Sequence, residues 1–494
     1  MSNIRVGYTG SIAFLIGIIR LFLGFAFITV VTRTLAPEEF GTWQLIGGLL
    51  VYVLILHSIE TYWLTRETAR NSESAKTAIF SGGIFSTIGI GAYLLIIFLI
   101  SNNSDVNFNI LLYGVILVPI NFFYSILSSI NYGWKPQTQS YGLLIIDIVK
   151  IPTVLIFLSY YEMGVDGVIL SAFLGSFAST ILHLFFARSR LKSNLNFNFF
   201  KKWLKLSWLT LYPPIAGLIF SLDVTVFTII IGTTEGLGYY GAAVIIGSLV
   251  SYGGLTFTAI YPKLLGANDT SFLRKSVTRL LYFLIPLSVI VIVFAKPGLY
   301  VLNPVYVIIY PAVILLGLRF FAFTIFDTCN YILRGIEKVD IDSTSTFKQY
   351  LKSKLFFIPT LQIIQQSVYT SSLVIFLVIN SSMEITELIY YWALISLCTQ
   401  IPFTIYLCLV VRKIMSFTIE WTKISKYLGA SLIFGLIGYL STNFINYELE
   451  LFDFLPNLIF FISIAVSGYV VLTYVIDKES RLFIKSIFNE LKSK

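Results

Sequence analysis

The sequence predicts an all-α polytopic membrane protein with about 14 transmembrane helices: two parallel six-helix repeats, then a C-terminal helix pair. Three observations carry this expectation. Hydrophobic residues fill 57% of 494 positions and charged residues only 12%, where a soluble domain carries about 25% charged residues. The apolar residues come in long runs without strand-like alternation, separated by short polar loops such as Ser101-Asn102-Asn103-Ser104-Asp105; only helices and closed barrels satisfy the backbone in hydrocarbon. Finally, Phe40-Gly41-Thr42-Trp43-Gln44-Leu45-Ile46-Gly47-Gly48-Leu49-Leu50-Val51-Tyr52 recurs as Tyr240-Gly241-Ala242-Ala243-Val244-Ile245-Ile246-Gly247-Ser248-Leu249-Val250-Ser251-Tyr252. That shift of 200 residues has no gap, and it places Gly17 on Gly217 and Phe27 on Phe227.

The elements follow in order. About 20 apolar residues cross a bilayer as a helix, and on that measure the first six spans run roughly 8–31, 41–61, 77–100, 109–131, 138–160 and 165–187. The first run is too long for the apolar core of a signal peptide and has no small-residue cleavage site, so it reads as the first span. The next six run roughly 206–231, 238–262, 276–296, 305–326, 355–379 and 387–411, and a last pair covers roughly 427–446 and 457–476.

Cations set the orientation. With the N-terminus inside, 29 of the 34 Lys and Arg fall in cytoplasmic segments, against two outside, Arg33 and Lys296. This is the positive-inside pattern; it places both termini in the cytoplasm and accounts for the net charge of +9 without nucleic acid. The repeat shift covers six spans, an even number, so both halves enter the membrane in the same direction. The expected division is an N-lobe (1–190), a basic cytoplasmic linker (191–205), a C-lobe (206–411), and an accessory pair with cytoplasmic tail (412–494). The lobes would enclose a central cavity. Internal duplication of this kind recurs in transporters, with the substrate site between the repeats.

Ionisable residues inside a membrane are costly and mark a pathway or a partner. The cations are Arg20 in span 1, Lys150 in span 5 and Arg319 in span 10; the carboxylates are Asp147 in span 5 and Asp223 in span 7. Asp147 and Lys150 lie three apart on one helix face, so they either neutralise each other or share a site. Arg319 either lines the cavity or snorkels to the headgroups, whereas Arg20 is too central to snorkel. In the repeat register Arg20 falls on position 220, one turn from Asp223, so the two could pair between lobes. Glu60 and Asp327 fall near cytoplasmic ends of spans and are expected at the interface.

Catalytic and metal-binding readings find little support. Cys329, Cys398 and Cys408 match no zinc or redox spacing, His57 and His183 are far apart, and no GxxxxGK[ST] loop occurs. Asp340-Ile341-Asp342 resembles the acidic triplet of nucleotide-sugar glycosyltransferases, but its short loop has no room for a nucleotide-binding domain. Asn102-Asn103-Ser104, Asn380-Ser381-Ser382 and Asn268-Asp269-Thr270 are sequons, the last in a cytoplasmic loop. No cofactor, metal or enzymatic activity is expected.

Thr32-Arg33-Thr34-Leu35-Ala36-Pro37-Glu38-Glu39-Phe40-Gly41-Thr42-Trp43 resembles the first-loop signature of the polysaccharide transporter family. This is the O-antigen flippase-like branch of the multidrug/oligosaccharidyl-lipid/polysaccharide flippase superfamily. Thr65-Arg66-Glu67-Thr68-Ala69-Arg70 fits the same pattern, as do Asp223, Gly238-Tyr239-Tyr240-Gly241-Ala242-Ala243 and Tyr261-Pro262 in the second half. Ala36 stands where such proteins often have Gly or Ser. The resemblance implies an alternating-access transporter in the plasma membrane, flipping polyprenyl-linked oligosaccharides from the cytoplasmic to the outer leaflet. It also implies membrane lipids and glycosyltransferases of the same pathway as partners.

The local charges agree independently. Arg20, Lys150 and Arg319 suit a phosphate or diphosphate headgroup, with Asp147 and Asp223 as ion-coupling or inter-lobe pairing residues. A multidrug or organic-cation exporter of the same superfamily would place carboxylates without cations in a lobe, yet Asp147 has Lys150 beside it. A membrane glycan polymerase or ligase would need a large outside loop, and every outside loop expected here is short.

Overall fold

The computed structural model describes residues 6–70, 73–192, 194–255, 272–337, 351–414 and 420–482, with 349 and 485. Tyr261-Pro262, Asn268-Asp269-Thr270 and Asp340-Ile341-Asp342 lie outside the described residues. Among those described, the secondary structure is helical throughout and no strand occurs. Among the described residues, helices long and apolar enough to cross a membrane number eleven. They are α2 (Pro37–Ala69), α3 (Ala75–Ser101), α4 (Phe108–Tyr132), α5 (Gln137–Tyr160), α6 (Gly164–Ala187), α9 (Phe272–Val293), α10 (Pro304–Gly335), α11 (Lys354–Ile379), α12 (Ile385–Ile414), α13 (Trp421–Phe444) and α14 (Leu451–Ile476). At the other three expected spans stand α1 (Val6–Thr34), the shorter α7 (Ile215–Ile231) and α8 (Glu235–Ser248). Large apolar side chains stay exposed along these helices, among them Leu95, Phe98, Ile375 and Val471. A surface so apolar faces lipid; this is a multi-pass membrane protein.

Local chemistry explains where the helices begin and stop. Pro37 opens α2, where its missing N–H costs nothing, and Glu39 accepts the Ala36 N–H at 3.0 Å. Glu38 and Glu39 add negative charge to the positive end of that helix. α7 begins later than expected, at Ile215 rather than near 206, because Pro213 and Pro214 cannot continue a helix from the short turn at Ser207–Leu211. It closes at Gly232, whose φ of +86° admits glycine without strain.

The chain forms two compact units, one of residues 1–239 with 370–385 and another of 240–369 with 386–494. Within the first, the starts of α2 and α8 cross at backbone contact. A Cβ on Gly41 would stand 1.8 Å from the Thr234 carbonyl oxygen, and one on Gly238 would stand 1.9 Å from that of Pro37. The Thr42 and Thr234 hydroxyls meet at 2.9 Å there. Gly41→Ala should therefore destabilise the protein by about 1–3 kcal/mol, since backbone has to move to admit the methyl. Gly47, with nothing within 4 Å of its Cβ position, is the control, and Gly47→Ala should leave the thermal midpoint in detergent unchanged or raised. Equal midpoints for the two variants would contradict the crossing.

A linker helix, Phe197–Lys205, lies against α2 and α3 in the same unit. Asn196 caps it by accepting the Asn198 N–H at 3.0 Å. Trp203 is fully buried, Lys202 reaches Glu67 at 3.0 Å, and Phe197 meets Phe80 edge-on. Lys201 and Lys205 stay exposed.

In the second unit α13 and α14 pack on α9 through Tyr282, Tyr427 and Tyr469. Gly435 accepts Val289, and Gly468 accepts the ring of Phe434. Tyr240 stacks on Trp392 at 3.9 Å, and the Trp392 indole donates to the Tyr369 hydroxyl at 2.7 Å.

Candidate functional site

Three of the expected residues converge in the first unit. Arg20, midway along α1, donates from Nε to Asp147 Oδ2 at 2.8 Å. Lys150, one turn along α5 from Asp147, places Nζ 3.5 Å from Oδ1. The ammonium also sits 4.0 Å from the ring centroid of Phe27, two turns from Arg20 on α1. Gly175 lets α6 approach α5 closely, since a Cβ there would stand 2.8 Å from the Ile146 carbonyl oxygen and 3.4 Å from Lys150 Cβ.

Burial within this cluster is uneven. The Asp147 side chain is 5% exposed, Lys150 18% and Arg20 34%. One carboxylate is thus shared between two cations, leaving a net charge of +1, and Arg20 is the most accessible member. Its guanidinium spends Nε on Asp147, so the planar Nη fork remains for an incoming anion. Asp147 thus pairs with Lys150 on its own helix and with Arg20 on α1.

Asp223 lies elsewhere in the same unit. It is buried and accepts the Val224 N–H at 2.7 Å, while the ion-pair partner of Arg20 is Asp147. Beside it, the Tyr52 hydroxyl of α2 donates to the Ser221 carbonyl at 2.6 Å and meets Thr225 Oγ1 at 2.9 Å. Arg319 belongs to the second unit, on α10, with its guanidinium 4.7 Å from the Phe320 ring and 5.4 Å from that of Phe323.

Glu60, expected near the cytoplasmic end of its span, lies inside the protein. It is fully buried: Ser81 hydrogen-bonds Oε2, and Oε1 has no hydrogen-bond partner among the described residues. His57, one turn away, packs edge-on against Phe122, and Glu67 is engaged by Lys202. Among the described residues no cation pairs with Glu60, unlike Asp147.

No protein-family model and no curated protein matches the chain. Solved structures do. The lipid II flippase MurJ, in an inward closed conformation, superposes with a TM-score of 0.64 over 94% of this chain and 99% of its own, at 14% identity. An inward-facing multidrug resistance MATE transporter of the MOP superfamily follows at 0.57, over 79% of this chain and 94% of its own, at 13% identity. The chain has the fold of the MurJ and MATE transporters. A MATE structure in a straight conformation gives 0.51 at 14% identity, over 82% of this chain and 95% of its own.

The likeness to these structures is one of fold. Identities of 13–14% carry the architecture and none of the site residues. The Arg20–Asp147–Lys150 cluster therefore rests on the chain's own geometry. Sequence spacing brought Asp147 and Lys150 together, but nothing local joins Arg20 to a residue 127 positions away. α2 runs on to Ala69, about 13 Å beyond Glu60.

Proposed function

We propose that this chain is an alternating-access transporter that flips a polyprenyl-linked oligosaccharide from the cytoplasmic to the outer leaflet for cell-surface glycan synthesis. The MurJ/MATE-like fold supports the transporter class. The observation that carries the substrate class is the buried, net-cationic cluster of Arg20, Asp147 and Lys150. An anionic phosphate or diphosphate completes its charge and takes the open side of the Arg20 fork. Arg319 is a further phosphate contact in this reading, and Asp147 and Asp223 set the charge of the empty state. The protein acts without chemistry of its own, in the plasma membrane, beside the glycosyltransferases that build its substrate.

A multidrug exporter is the competing reading, favoured by the MATE-like architecture and by Glu60, a buried carboxyl that no cation among the described residues covers. Proteoliposomes separate the two. Wild-type protein should move a fluorescent polyprenyl-diphosphate oligosaccharide between leaflets and leave ethidium gradients intact. Ethidium efflux without glycolipid movement would replace the proposal with the drug reading.

The membrane orientation, with both termini cytoplasmic, has its own test. In a background lacking Cys329, Cys398 and Cys408, a cysteine at Asn103 should react with an impermeant maleimide from outside. One at Ser189 should react only after the membrane is opened. The reverse pattern would invert the topology.

A further inference from the structure

Two of the three cysteines meet inside the second unit. Cys329 of α10 and Cys408 of α12 are 79 positions apart in sequence, yet their sulfurs stand 3.6 Å from each other. Each lies six residues before the end of its helix, Gly335 on α10 and Ile414 on α12. At about 1.5 Å per residue, both thiols are roughly 9 Å from those ends, so they occupy matching positions on the two helices. Cys398, the third cysteine, is exposed.

A second contact joins the same two helices. Thr404, one turn before Cys408, donates from its hydroxyl to the Ala322 carbonyl of α10 at 3.2 Å. Ala322 is two turns before Cys329, so both contacts fall on one face of each helix. One turn further back on α12, Gln400 accepts the side-chain amide of Gln365 on α11 at 2.7 Å. Around the thiols the packing is apolar, with Leu273 of α9, Leu333 of α10, Ile358 of α11 and Leu407 of α12 buried in one cluster. Access to the two sulfurs differs: Cys329 is 6% exposed, whereas Cys408 is only partly buried.

We propose that Cys329 and Cys408 are joined into a disulfide by a peroxide, which clasps α10 to α12. Cys408, the more accessible thiol, reacts first. Its thiolate attacks one peroxide oxygen, the O–O bond breaks, and the departing hydroxide takes up the thiol proton as water. The Cys408 sulfenic acid is then attacked by the Cys329 sulfur; the S–O bond breaks, and a second water leaves with the Cys329 proton. Two thiols and one peroxide thus give one disulfide and two waters. A disulfide holds its sulfurs about 2.05 Å apart, so the pair closes by about 1.5 Å from its present contact. With Cys329 already against Cys408, the sulfenic acid is consumed before a second peroxide can oxidise it further. A small uncharged peroxide suits this apolar surrounding, and a thiol reductant reverses the step. None of this depends on what the protein carries.

The full chain bearing Cys398→Ser, purified in detergent, isolates the pair. Hydrogen peroxide should lower the thiols that react with maleimide after denaturation from two to none. The intact chain should lose two hydrogen masses, and digestion should release a peptide cross-linked between residues 329 and 408. Dithiothreitol should restore both thiols, and the bridged protein should have the higher thermal midpoint. With Cys329→Ser added, a Cys408 sulfenic acid should accumulate and be trapped by dimedone. With Cys408→Ser added instead, Cys329 should stay reduced. The thiol count is read without either added change, so a variant that misfolds does not shield the proposal. Two thiols surviving peroxide, oxygen added in place of the bridge, or bridges only between chains would overturn it. Bridging by diamide but not by peroxide would also overturn it, since the thiols would then be neighbours without being a peroxide target.

Discussion

Arg20→Ala is expected to reduce glycolipid flipping in proteoliposomes by 30-fold or more. Removing one partner of a buried, hydrogen-bonded charge pair costs about 2–5 kcal/mol, and each 1.4 kcal/mol is a factor of ten. Arg20→Lys keeps the charge but not the fork, and should lose about tenfold. Lost transport has two possible causes, since the same truncation leaves Asp147 with Lys150 alone, at 3.5 Å. The double variant Arg20→Ala with Asp147→Asn separates them. If Arg20 serves only to neutralise Asp147, the second change restores flipping. If Arg20 holds the phosphate, flipping stays lost while the thermal midpoint recovers. Wild-type rates in Arg20→Ala, or full rescue by Asp147→Asn, would remove Arg20 from the substrate site.

The helical architecture was legible because its causes are local and repeated. Long apolar runs, short polar loops and the 200-residue recurrence each appear in the chain as written. Span edges were less legible. α2 extends to Ala69, well past the expected 61, because Thr61-Tyr62-Trp63-Leu64 keeps the helix going although the apolar run has ended. α7 is shorter than expected because two prolines interrupt what hydropathy counts as one segment.

The site was half legible. A period of three to four joined Asp147 to Lys150, and Arg20 announced itself as a cation too deep to snorkel. The 2.8 Å contact from α1 to α5 depends on tertiary packing that no local pattern encodes. Glu60 shows the same limit: its burial, with Ser81 of α3 against it, depends on tertiary packing that the apolar pattern does not encode.

Asp147→Asn is expected to change how flipping responds to membrane potential. With Asp147 ionised, the cluster carries two cations and one anion, a net +1. A headgroup with one negative charge then makes the loaded site neutral, and the empty site returns inward carrying about one positive charge. An inside-negative potential favours that return by about 2.3 kcal/mol per charge per 100 mV. A diphosphate makes the loaded site negative, so the potential favours both half-cycles. Asp147→Asn raises the cluster to +2. The loaded step with a single negative charge then moves positive charge outward, against the same potential and by the same amount. A valinomycin-set, inside-negative potential should therefore accelerate wild-type cycling through the empty return; in the variant it should slow the loaded step, read in a single turnover, while the empty return, now carrying +2, is favoured more. With a diphosphate substrate the variant's loaded step becomes neutral, so its single-turnover rate should ignore the potential, whereas the wild type's, at −1, should rise with it. The carboxylate is thus assigned an electrical role, limiting the charge that the empty site carries back. Identical potential dependence in the two proteins would deny Asp147 that role. Rates that ignore the potential and follow a proton or sodium gradient would move the coupling to a carboxyl free of cations, and among the described residues Glu60 has the geometry for it.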